Sequence, residues 1–136
     1  MSDTHGLLRP EAIEVLRGSD LIIHAGDIGK PEVIEGLRSI ASVVAIRGNN
    51  DRGKWAREFP ETAIIEVGEV RIYVIHNVKE IDLDPATAGF SVVISGHSHR
   101  PSVVERDGVC SSIPAALARL RVRGESVSFR IVELDV

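Results

Sequence analysis

Four short apolar runs, over 21–25, 43–46, 72–75 and 92–95, each give way within two residues to glycine or histidine and then to oxygen or nitrogen donors. Runs of this length and composition read as buried strands. In an open α/β sheet the carboxyl ends of the strands share one rim, and ligands bind there. The glycines at 26, 48 and 96 let backbone turn tightly and approach such a site. Between the early runs the pattern is helical. Residues 9–17 carry Pro10 in a first turn, an apolar side of Ile13, Val15 and Leu16, and a stop at Gly18. A second helix is predicted from Pro31 to about Ser39, with Val33, Ile34 and Leu37 inward.

Later segments change character. Strands are predicted over Thr62–Val67 and Val70–Ile75, joined by the two-residue turn Gly68-Glu69. Asp84-Pro85 is expected to cap a short helix that fades at Gly89, and a continuous strand follows over 91–95. From Pro101 the chain reads as hairpins, with turns at Asp107-Gly108 and Gly124-Glu125. No linker, repeat or low-complexity stretch divides it. Alternating β and α followed by meandering β predicts an α/β fold of two packed sheets with helices outside, in one domain over 1–136.

Composition excludes several classes. With 43% hydrophobic and 26% charged residues the 136-residue chain has globular values. A net charge of −4 without a basic block argues against a nucleic-acid surface. Arg119, Arg121 and Arg123 alternate along one strand face and read as solvated. A small phosphoester substrate stays open, because metal ions supply local positive charge. The single cysteine, Cys110, excludes an internal disulfide framework and reads as a small packed residue rather than a nucleophile. Met1-Ser2-Asp3 shows no leader and no apolar run approaches the length of a membrane span, so the expectation is a soluble cytoplasmic protein, with self-association as a homo-oligomer left open.

The donors themselves are Asp3, His5, Asp27, Asn49, His76, His97 and His99. Asp-x-His and His-x-His put both side chains on one side of an extended segment. Taken singly, Asp3 reads as a terminal residue, Asp27 and the run Asn49-Asn50-Asp51 as turn formers, and His76 as a structural imidazole. In order and each at a strand end, they read as a metal site. Carboxylate, amide and imidazole without thiolate suit two divalent ions, Mn²⁺ first, with Fe, Ni²⁺ or Zn²⁺ also compatible. His24 is expected to be a packed strand histidine.

The blocks Asp3-x-His5, Gly26-Asp27, Gly48-Asn49-x-Asp51, His76 and Gly96-His97-x-His99 resemble the signature of the calcineurin-like metallophosphoesterase superfamily, most closely its small YfcE-type phosphodiesterases. The resemblance implies a four-layer α/β/β/α sandwich of two mixed sheets. It also implies one metal held by Asp3, His5, Asp27 and His99 and a second held by Asp27, Asn49, His76 and His97. Asp27, Asn49 and His97 would then be the catalytic residues, with a hydroxide between the metals attacking phosphorus in line. A second reading is a non-catalytic scaffold, as in the retromer subunit that shares this likeness.

Three departures accompany the resemblance. Asn50 stands where many relatives carry a histidine general acid, and an amide protonates nothing near neutral pH. Asp51, which would orient that histidine, is expected to lose its role. Relatives have an apolar strand before Ser2-Asp3, so the fold is expected to lack the usual first strand and to leave Asp3 and His5 on a frayed end. The position built on Asn49, His76 and His97 is expected to be the firmer of the two. Residues 109–116 replace an Asn-Pro-Gly-Ser segment, with about ten residues deleted by comparison.

Overall fold

The computed structural model describes residues 1–98, 100, 102–113, 117–123 and 126–132. Strands β1 (Leu21–His24) and β2 (Ser42–Ala45) pair in parallel, with Leu21 opposite Ser42 and His24 opposite Ala45. Helices α1 (Pro10–Leu16) and α2 (Pro31–Arg38) both begin at proline, whose fixed φ and missing N–H suit a first helical position. They bury Ala12, Leu16, Val33, Ile34 and Leu37 against Ile22 and Ala45 of this sheet.

The second sheet contains β3 (Thr62–Val67), β4 (Val70–Ile75), β5 (Val92–Ile94), β6 (Ser102–Arg106) and β7 (Val109–Ile113). Its order is β3-β4-β5-β7-β6, with parallel pairs in the middle and an antiparallel hairpin at each edge. Asp107 and Gly108, at φ 54° and 77°, make the turn between β6 and β7. Strands β8 (Leu117–Arg123) and β9 (Ser126–Val132) form a further antiparallel pair. The predicted turn at Gly124-Glu125 between them lies outside the described residues.

The sheets meet face to face. Ala25 and Ile46 from the first pack on Ile65, Val70, Ile72, Val74, Val92 and Ile94 from the second. Burying each such aliphatic side chain contributes about 1.5–3 kcal/mol, which holds the sandwich closed. The outer face of the second sheet carries Tyr73, Ile75, Phe90, Val93 and Val109. It is covered by a 3-10 turn at Val78–Glu80 and by the segment around Leu83 and Ala88.

That covering corrects the helix expected after Asp84. Asp84 does accept from the Ala86 N–H and the Thr87 hydroxyl, but residues 85–89 form only hydrogen-bonded turns. Too few residues separate Pro85 from Gly89 to propagate beyond a costly nucleus. The other predicted helices and strands before residue 96 are present, with ends shifted by one or two residues.

The frayed amino terminus is also corrected. The Met1 amino group donates to the Ile23 carbonyl at 2.8 Å, and the Met1 carbonyl accepts from the Ala25 N–H at 2.8 Å. The ladder continues through Asp3 N–H to the Gly26 carbonyl, His5 N–H to Asp27 and Gly6 N–H to Ile28. Residues 1–6 thus run along β1 and its following loop in parallel sense. Burial lowers the Met1 amino pKa from 8.0 to about 5, against an opposing pull from the Asp3 carboxylate.

Candidate metal centre

Five segments end at one rim of the sandwich, as strand polarity requires. Asp3 and His5 come from the ladder beside β1, and Asp27 follows β1. Asn49 follows β2, His76 follows β4, and His97 follows β5. Ligating atoms of Asp3, His5 and Asp27 all lie within 4.8 Å of one another. His76 Nε2 stands 3.4 Å from Asp27 Oδ2 and 3.9 Å from Asp3 Oδ1. The rings of His76 and His97 are 5.2 Å apart, and His97 Nδ1 lies 3.2 Å from Asn49 Oδ1. The structure therefore brings six of the seven expected donors together, while His99 lies outside the described residues.

Asp3 and His5 are not the insecure half expected. The Asp3 side chain is only 1% exposed, and its Oδ2 accepts from the His97 backbone N–H at 3.1 Å. Asn49 and His97 are exposed, as is the His5 ring, while the His5 backbone N–H is held by the Asp27 carbonyl.

Hydrogen bonds fix how each group points. His76 Nδ1 lies 2.7 Å from the Ala25 carbonyl, which only accepts, so this nitrogen carries the hydrogen. In the Nδ1–H tautomer the Nε2 lone pair faces the carboxylates. This buried atom has no hydrogen-bond partner. Asn50 grips Asp27 twice at 3.0 Å, its backbone N–H on Oδ1 and its amide on Oδ2.

His24 is packed as expected, and both of its nitrogens are also used. The Gly26 N–H donates to Nδ1 at 3.1 Å, so Nε2 bears the hydrogen and donates to Thr4 Oγ1 at 2.9 Å. The Thr4 hydroxyl passes its own hydrogen to the Ile28 carbonyl at 2.9 Å. This chain ties the loop of Asp3 and His5 to the loop of Asp27. Burial above all, with the neighbouring Met1 amino group, His76 and His5 opposing a further positive charge, pushes the His24 pKa well below 6.5 and keeps the ring neutral.

Asp51 has a function the resemblance did not predict. Its carboxylate accepts from three backbone N–H groups: Ile28 at 3.0 Å, Gly29 at 2.9 Å and Gly48 at 2.8 Å. It locks the Asp27 loop to the Asn49 loop. The signal in sequence was only an acidic residue after Asn-Asn, which reads equally well as a turn.

Backbone strain concentrates here. Asp3, His5, Asp27 and His97 occupy the left-handed region at φ 55°, 47°, 56° and 70°. Such conformations cost on the order of 1 kcal/mol or more each and persist where surrounding structure dictates them. Two glycines make room: a Cβ on Gly48 would collide with the Asp27 carboxylate and backbone, and one on Gly96 would stand 2.7 Å from Asp3 Oδ2.

Two buried carboxylates facing an imidazole lone pair repel each other unless a cation lies between them. The carboxylate and imidazole donors, with a hydrogen-bonded partner behind His76, have the chemistry of a divalent-ion site.

Comparisons with known proteins bear on the fold and the family. The fold is shared with an archaeal phosphodiesterase, with a TM-score of 0.78 at 22% identity, covering 97% of each chain. It is shared equally with Vps29 of Chaetomium thermophilum, with a TM-score of 0.77 at 17% identity, covering 90% of this chain and 78% of the other. At the level of sequence, residues 1–135 match the calcineurin-like phosphoesterase superfamily domain. The chain belongs to that superfamily. A probable metallophosphoesterase of Methanothermobacter thermautotrophicus is 29% identical over 154 aligned positions, covering 97% of this chain and 89% of the relative. Another, from Methanocaldococcus jannaschii, is 34% identical over 116 positions, covering 76% of this chain and 58% of the relative.

Proposed function

We propose that this chain, as a single domain, is a phosphodiesterase dependent on two divalent metal ions, Mn²⁺ foremost. The observation that carries the proposal is the buried His76 Nε2, without a hydrogen bond and directed at Asp27 and Asp3. Asp3, His5, Asp27 and His99 would hold one ion, and Asp27, Asn49, His76 and His97 the other. When bound, the ions would supply Lewis acidity and a nucleophilic hydroxide for in-line attack on phosphorus.

The protein's own contribution is positioning. Asn50 holds both oxygens of Asp27, so that this carboxylate cannot rotate away from a shared position. The Ala25 carbonyl keeps the His76 proton on Nδ1 and leaves Nε2 available. Exposed His97 and Asn49 stand at the solvent side, where a phosphoryl oxygen would arrive. No acid stands at Asn50, so substrates whose leaving oxygen departs without a proton are favoured, such as nitrophenyl diesters.

The test is Mn²⁺-dependent hydrolysis of bis-p-nitrophenyl phosphate by the purified chain. Turnover that falls at least 100-fold in His76→Ala and His97→Ala is expected. The likeness to Vps29 motivates the second reading, an interaction protein on this fold. Stoichiometric metal without turnover on any diester or monoester would favour it.

A further inference from the structure

Strand β6 is an edge of the second sheet. Its one strand neighbour among the described residues is β7, and Val103, Val104, Glu105 and Arg106 are all exposed. Val103 and Val104 point to opposite faces of the sheet, yet they are 45% and 54% exposed. Both faces of the strand are therefore open. At the opposite edge β3 differs: exposed Thr62, Ile64 and Glu66 alternate with less exposed Ala63, Ile65 and Val67. Natural edges are commonly blunted by lysine, proline or a bulge. Residues 102–106 contain no lysine or proline, and they pair with β7 one to one without a bulge.

The turn and the neighbouring strand fix which backbone groups point outward. Asp107 and Gly108 both have positive φ, as a two-residue hairpin turn requires, so Arg106 and Val109 form the hydrogen-bonded pair that closes it. The Cys110 N–H and the Ser112 carbonyl are used on the other side, by Ser91 and Ser95. Residues 109, 111 and 113 thus serve Arg106, Val104 and Ser102. The N–H and C=O groups of Val103 and Glu105 are left facing out.

We propose that this edge is a homodimer interface, in which β6 pairs antiparallel with β6 of a second copy about a two-fold axis at Val104. In that register Val103 of each copy lies opposite Glu105 of the other, and each of these pairs exchanges both backbone hydrogen bonds. The two Val104 residues form the non-hydrogen-bonded pair between them, with Cα atoms about 4.5 Å apart and side chains in contact. Arg106 stands opposite Ser102, so no like charges directly oppose each other. Other registers are poorer. An axis at Glu105 sets two carboxylates against each other, and an axis at Val103 demands an N–H from residue 101, which is proline. The contact joins two five-stranded sheets and closes on itself, whereas β6 against β3 would not close. A contact between two short strands lies at the low end of interface sizes, so a reversible dimer with Kd on the order of 10 µM is expected.

The test is sedimentation equilibrium of the full chain from about 1 to 500 µM, on either side of that Kd. A monomer–dimer equilibrium is expected. Val104→Lys, at an exposed position, should weaken it at least tenfold while leaving the Tm of the dilute monomer unchanged. Amide exchange at Val103 and Glu105 should slow at least tenfold in the dimer, and the Val104 amide, already bonded to β7, should change less. Mild oxidation of Val104→Cys should link two copies through position 104, because Cα atoms about 4.5 Å apart suit a disulfide. Ile64→Cys on β3 should not link. A monomer throughout the range would overturn the proposal. So would a dimer that withstands Val104→Lys, or one that Ile64→Lys dissociates instead.

Discussion

Asp51 gives the sharpest test of how the rim is built. Replacing it by alanine orphans the N–H groups of Ile28, Gly29 and Gly48, in a place where the carboxylate is only 7% exposed. An unpaired buried donor costs about 1–3 kcal/mol. With water reaching part of the space, Asp51→Ala is expected to lose on the order of 3 kcal/mol, or roughly 10 °C in Tm. Asp51→Asn separates hydrogen bonding from bulk. Its one oxygen can take the place of Oδ2, which serves both Ile28 and Gly48, while its amide turns a donor toward the Gly29 donor. One bond is lost rather than three, so a cost of about 1 kcal/mol is expected. Urea denaturation monitored by circular dichroism reads both values, and Mn²⁺ titration by calorimetry should show weakened binding in the same order. An alanine variant within 0.5 kcal/mol of the parent, a margin on the scale of an ordinary surface substitution, would refute the reasoning. So would an asparagine variant as unstable as the alanine one.

The Met1 amino group and His24 predict acid sensitivity. Between its unfolded pKa of 8.0 and its folded pKa of about 5, the amino group is protonated only when the chain unfolds. Its contribution is therefore complete above pH 8 and is lost as pH falls toward 5, on the order of 3–4 kcal/mol in all. Neutral His24 adds a loss in the same direction below pH 6.5. Urea midpoints from pH 8 to 5 should decline, and N-terminal acetylation should flatten the part between 8 and 6.5; an unchanged slope after acetylation would count against it. His24→Leu strands the Thr4 hydroxyl and the Gly26 N–H, and a loss of about 2–4 kcal/mol is expected. In that variant Asp3 and Asp27 should lose Mn²⁺ affinity more than a destabilised but intact rim would. His24→Gln, which can still bond at both ends, should restore part of it.

Strands β3 and β4 were legible residue for residue, because β-branched runs of six residues flank a Gly-Glu turn. The donors that follow strands were legible for the same reason: polarity and period place them on one rim. What the sequence concealed depends on backbone groups. Asp51 works by collecting three N–H groups from two loops, and nothing in its own neighbourhood marks that. Residues 1–6 contain too few apolar side chains to read as a strand, yet they gain order from hydrogen bonds to β1, which is invisible to side-chain patterning. The short helix at 84–89 failed in the opposite direction. Its cap was read correctly, but a cap alone does not propagate a helix.

The left-handed backbone at Asp3, His5, Asp27 and His97 makes the chemistry and the architecture separable. Asparagine and glycine adopt that conformation more comfortably than most residues, and neither brings a negative charge into a buried cluster. Exchanging Asp27 or Asp3 for such a residue would remove a buried negative charge, at the cost of hydrogen bonds from Asn50 or His97. Along these loops the charge needed for reactivity and the bonds that hold the sandwich are carried by different atoms. A lineage that ceases to need hydrolysis can thus keep the shape through a handful of replacements at the rim.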